Sequence, residues 1–65
     1  MPTELKILRV KKGLNQGELA EKLGVTRNTI SSWENGKLPS LKNANKLADF
    51  FGVSVLDIFF TKNNN

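Results

Sequence analysis

The sequence predicts an all-α fold, a compact bundle of five short helices, and three observations carry that prediction. Leu, Ile, Val and aromatic residues recur at spacings of three and four, with no strand-type alternation. Polar capping residues and glycine stops mark off successive apolar runs. The chain has 65 residues, enough for one domain around one small core.

The first helix is expected from Thr3 to Lys12, closing at Gly13, with Leu5 and Leu8 facing inward. The second begins at Asn15, which is placed to cap it. Glu18 completes a capping box, and Leu14 with Leu19 forms a hydrophobic staple. Gly24 ends it. The third helix repeats the device: Thr26 caps, Val25 and Ile30 staple, and Asn35-Gly36 stops. Asn-Gly is also a hairpin signal, but no strand pattern flanks it.

Pro39 forbids continuation of the third helix. Ser40 caps a fourth, reaching Phe51, with Leu41, Ala44, Leu47, Ala48 and Phe51 on one side. Gly52 stops it, and Ser54 opens a short fifth helix to Phe60. The tail Thr61-Lys62-Asn63-Asn64-Asn65 has nothing to bury and is expected to fray, so the domain is read as residues 1–60.

There is no Cys and no His, which removes disulfides, the usual zinc sites, thiol nucleophiles and imidazole acid–base chemistry. No cofactor or metal is expected. Ser31 and Ser32 lack a His base, and the carboxylates are scattered along the chain, so no enzyme is expected either. No apolar run approaches the ~18 residues of a membrane span. The Met1-Pro2-Thr3-Glu4 start has no signal-peptide character, and a cytoplasmic protein is expected. Ten Lys and Arg against six Asp and Glu leave a net charge of +4, which suits a polyanionic partner without specifying one.

The third helix is the unusual one. At about 100° per residue, Ile30 and Trp33 share one side, and Arg27, Asn28, Ser31 and Ser32 share the other. Thr, Asn and Ser are middling helix formers, and a merely solvated face is usually rich in Glu and Lys. Short hydrogen-bonding side chains suit a DNA major groove instead. Arg pairs with guanine O6 and N7, Asn with adenine N6 and N7, and Ser with either base. Only Gly24 and Val25 join the second and third helices, which forces a sharp corner of helix-turn-helix type.

The segment "GLNQGELAEKLGVTRNTISSWENGKLPS", with "LADFFGVS" after it, resembles the Cro/C1-type helix-turn-helix family, the lambda- and 434-repressor-like domains. The resemblance spans Glu4 to Phe60 and implies a five-helix fold of that type and binding to operator double-stranded DNA, usually as a symmetric dimer. It implies that Gln16 lies against phosphate and the edge of the first base pair. It further implies that Arg27, Asn28 and Ser32 read bases. Thr26, Asn35 and Lys37 match backbone-contacting positions, and Asn15, Ser31 and Lys42 are added as candidates for phosphate. Arg9 and Glu34 match an internal ion pair, so Arg9 is read as structural.

Three departures from the family pattern stand out. Gly17 occupies the first turn of the second helix, Asn45 replaces a frequent Leu, and Leu56 and Phe60 fill usually polar positions. Ile7 and Val10 also fall outside the Leu5–Leu8 stripe. Leu56, Phe60, Val55 and Ile58 are expected to form a dimer interface.

The functional expectation is a transcriptional regulator, most simply a repressor that occupies a palindromic operator as a homodimer. Its half-sites would lie about 34–36 Å apart. Lys11, Lys12, Lys37, Lys42 and Lys46 are the cations available for phosphate. The alternative is a protein-interaction adaptor or antitoxin-type module of the same fold, with a protein partner on the surplus apolar surface. A phage or mobile-element origin fits the resemblance.

Overall fold

The computed structural model describes residues 3–60. Its five helices are α1 (Glu4–Lys11), α2 (Gln16–Leu23), α3 (Arg27–Glu34), α4 (Leu41–Phe51) and α5 (Val55–Phe59). Each starts at a polar side chain that accepts an otherwise orphaned backbone N–H: Thr3, Asn15, Thr26, Ser40 and Ser54. The Asn15–Glu18 capping box is present, and Ser54 forms a second one with Asp57 that the sequence reading does not anticipate. Residues 61–65, expected to fray, lie outside the described residues.

Helix ends follow one scheme. At the α2–α3 corner, Gly24 has φ +72°, its N–H donates to the Glu21 carbonyl, and Val25 N–H donates to the Ala20 carbonyl. This paired closure satisfies the last carbonyls of α2 and needs a residue without Cβ strain at the left-handed position. Gly52 closes α4 in the same way, through Asp49 and Ala48. Lys46, on α4, adds a side-chain bond to the corner, its Nζ donating to the Leu23 carbonyl at 2.7 Å.

Leu5, Leu19, Ile30 and Leu47, one from each of the first four helices, are fully buried, and Trp33 and Ile58 close the core around them. Burying a large apolar side chain contributes roughly 1.5–3 kcal/mol. The staple residues Leu14 and Val25 pack on the same cluster beside Leu19 and Ile30. Helix α2 packs on α3, α1 spans α3 and α5, and α4 rests on α5.

Two side chains, Leu41 and Ile58, depart from expectation. Leu41 does not join the inward face of α4; it is 73% exposed, because the first turn of that helix extends past the core that Ala44, Leu47 and Ala48 reach. Asn45 is exposed, so its polarity carries no burial cost. Ile58 is only 4% exposed and belongs to the core, which removes it from the expected dimer interface.

Candidate nucleic-acid interface

The corner presents α3 with its apolar side fixed and its polar side outward. Ile30 and Trp33 are buried, whereas Arg27, Asn28 and Ser32 are exposed. Ser31 differs from the expectation of an outward residue and is half-buried, since it lies at the edge of the polar arc. Thr26 Oγ1 accepts from Thr29 N at 3.1 Å and shares a 2.8 Å hydrogen bond with Thr29 Oγ1. When Thr29 donates in that pair, the Thr26 hydroxyl proton is free to meet a phosphate oxygen.

Beside Arg27 lies an open cleft of about 420 Å³ lined by Arg9, Asn15, Gln16, Gly17 and Arg27. The first turn of α2 forms its floor, where backbone N–H groups and the positive end of the helix dipole favour an anion. Asn15 is exposed, but its Oδ1 already accepts from Glu18 N at 2.7 Å, leaving its amide N–H groups as the donors it can offer. Gly17 leaves this wall without a side chain. A Cβ there would meet only Asn15 Oδ1, at 3.5 Å, an ordinary contact.

A buried polar network holds the cleft together. Arg9 Nε donates to Glu34 Oε2 at 2.6 Å, Nη2 to Glu34 Oε1 at 3.2 Å and Nη1 to the Leu14 carbonyl at 2.8 Å. Arg9 and Glu34 are 8% and 7% exposed. The guanidinium thus joins α1, the residue before the α2 cap and the last residue of α3. Glu34 sits at the negative end of the α3 dipole, an unfavourable place for a carboxylate that the Arg9 charge offsets.

Gln16 belongs to this network as well. Its Nε2 donates to Glu34 Oε1 at 3.0 Å, so the side chain expected at DNA is tied on one side to the scaffold. Sequence reasoning misses that bond. The available signal is a Glu at the last position of a helix, where the dipole argues against it.

All five lysines considered for phosphate are exposed, and among the described residues Lys11, Lys37 and Lys42 make no side-chain contact of the kinds that engage the other two. Lys46 is committed to the Leu23 carbonyl, and Lys12 lies over the Phe50 ring at 5.2 Å. Asn35 and Lys37 stand exposed in the turn that leaves α3.

Of the residues expected at a dimer interface, Val55 is half-buried and Leu56 and Phe60 are exposed. Phe60 shares an apolar groove of about 220 Å³ with Leu38, Pro39, Leu41, Val55 and Phe59. Leu56 stands outside it. Local spacing does not announce this groove, because it assigns Leu41 to the core and Leu38 to a connector.

The chain is similar to known regulators over most of its length. A helix-turn-helix family model matches residues 5–58. An uncharacterized HTH-type transcriptional regulator of Methanocaldococcus jannaschii is 53% identical over 91% of this chain and 91% of its own length. Another, YgzD of Bacillus subtilis, is 36% identical over 100% of both chains. The cryptic phage CTXphi transcriptional repressor RstR of Vibrio cholerae is 39% identical over 86% of this chain, a match that covers 51% of the repressor. Among the described residues, no helix is long and apolar enough to cross a membrane. By its corner, its polar third helix and these matches, the chain belongs to the helix-turn-helix family and is a DNA-binding transcriptional regulator rather than an enzyme.

Proposed function

We propose that this regulator is a repressor that binds a palindromic operator as a homodimer, with α3 in the major groove. The observation that carries the reading is the α3 face: Arg27, Asn28 and Ser32 exposed together beside the cleft at the start of α2. Arg27 and Asn28 have the chemistry to discriminate bases, with Ser32 as a short, tolerant neighbour. Asn15, Thr26, Asn35, Lys37 and Lys42 supply phosphate contacts that set the register, and Ser31 contributes at the edge of the face. RstR, similar over most of this chain, is a phage repressor, which supports the repressor assignment.

A single module of this size makes few base contacts, and two copies one helical turn apart double them. The groove of Leu38, Leu41, Val55, Phe59 and Phe60, together with the exposed Leu56 outside it, supports a dimer contact through this apolar surface. Occupancy of a promoter by such a dimer excludes polymerase, and this is the simplest form of repression.

The test is selection from a random duplex DNA library at near-physiological salt. A palindrome with half-sites about 10 base pairs apart is the expected result. Salt-sensitive binding without enrichment would overturn the reading and favour a protein partner on the apolar groove.

A further inference from the structure

We infer that Gln16 reads an adenine, and that Glu34 makes it do so by fixing which way the Gln16 amide faces. The inference rests on the reading that the α2–α3 corner lies in the major groove, and adds what sets the base preference there.

A Gln amide has one acceptor oxygen and a nitrogen with two protons, and by rotation it can present either to a partner. Its two ends are otherwise nearly the same shape, so a free Gln reads several base edges. Glu34 removes that freedom. Its carboxylate offers only acceptors, and both of its oxygens already take N–H groups from Arg9. The Gln16 nitrogen therefore faces Glu34, at 3.0 Å, and the Gln16 oxygen faces away. The reverse orientation would set oxygen against oxygen at a half-buried site, leaving both without a proton between them.

The outward edge then has a defined pattern. No side-chain N or O among the described residues is both buried and without a partner, so Gln16 Oε1, which makes no bond within the protein, is accessible in the cleft. With one amide proton bound to Glu34, the second can lie beside Oε1. An acceptor and a donor side by side match the N6 donor and N7 acceptor of adenine. Guanine presents two acceptors in the groove, and the Gln16 oxygen would be repelled by either. A phosphate can take the outward N–H but leaves the oxygen without a donor, whereas adenine engages both. Among base edges, Gln16 is thus polarised toward adenine. Glu34 is a positioning residue, held in turn by Arg9, and touches no base itself.

The test is library selection with four proteins: wild type, Gln16→Ala, Glu34→Gln and the double variant. The amide introduced by Glu34→Gln can turn a donor toward Gln16, which lets the Gln16 amide rotate. In wild type one operator position should be enriched in adenine by about 5- to 150-fold, the range of a good bidentate pair. Gln16→Ala should abolish that preference. Glu34→Gln should reduce it strongly while the Arg27-dependent position is retained, and the double variant should lose no more than Gln16→Ala alone. A merely structural role of Glu34 would weaken all positions alike.

Adenine enrichment undiminished in Glu34→Gln would overturn the positioning role, and a preference unchanged in Gln16→Ala would overturn the reading of Gln16. If Glu34→Gln fails to fold, because Arg9 is left unpaired, Arg9→Met with Glu34→Gln removes both charges together and takes the same test. A wild-type protein that enriches no sequence would overturn the major-groove reading itself, an outcome distinct from the other two.

Discussion

Two regions of this molecule, the α2–α3 corner and the Leu38–Phe60 groove, are built on different principles. At the corner, position is set by directed bonds: a guanidinium with three nitrogens engaged, a carboxylate shared between Arg9 and Gln16, and a turn closed by paired backbone bonds and by Lys46. In the groove, Leu38, Leu41 and Phe60 stand exposed with no directed side-chain bond to orient them. The difference matches the two tasks proposed. Reading a base edge requires atoms held in place, whereas self-association asks only that apolar surface leave water.

Five variants break or sharpen that contrast. The largest effect is expected from Glu34→Ala, which leaves the Arg9 charge buried without its partner. Such a loss costs about 3–5 kcal/mol, a large part of the stability of so small a domain, and urea denaturation should show it directly. A change well below 1 kcal/mol would mean that the network contributes little to the fold.

Next comes the reading face. Arg27→Ala should lose about 1–3 kcal/mol of discrimination at a single base pair, measured by competition between operator variants. Lys37→Ala should instead weaken all sequences alike and lower the salt slope by about 0.9. Full wild-type preference in Arg27→Ala would show that α3 is misassigned.

Gly17→Ala is expected to stabilise the protein by up to about 1 kcal/mol, because the site is helical and an added methyl meets only ordinary contact. Thermal unfolding measures the gain. Paired binding assays would then show whether the bare wall of the cleft is needed by DNA.

The smallest change to the fold is expected from Leu41→Glu. Its side chain is outside the core, so stability should move by less than about 0.5 kcal/mol. Self-association, followed by analytical ultracentrifugation, should nevertheless fall sharply. An unchanged association constant would remove the groove from the proposed dimer contact.

The helices are legible in the sequence because their ends are written locally. Asn15, Thr26, Ser40 and Ser54 cap as their spacing implies, and Gly24 and Gly52 stop where a left-handed residue is required. The burial of Ile30 and Trp33 opposite Arg27, Asn28 and Ser32 also follows from helical period alone. What local pattern cannot supply is the relation between distant elements. Leu41 fits the α4 stripe by spacing, yet nothing in its neighbours says that the core begins only one turn later. Ile58 sits between exposed Leu56 and Phe60 in sequence, and only the packing of α5 on α1 and α4 separates them. The Gln16–Glu34 bond joins residues whose proximity depends on the whole corner, so no spacing rule announces it.

The same corner has a consequence for how such a protein diversifies. Among the described residues, the side-chain bonds that hold α3 run through Glu34, Thr26 and Thr29, and none involves Arg27, Asn28 or Ser32. Those three positions can be exchanged for other residues without disturbing what fixes the helix, so under the proposed reading new operators are reachable by substitution at three exposed sites. Gln16 has no such independence. Any replacement there must still be compatible with a shared carboxylate, and descendants of this chain should vary least at the one proposed reading position that is wired into the frame.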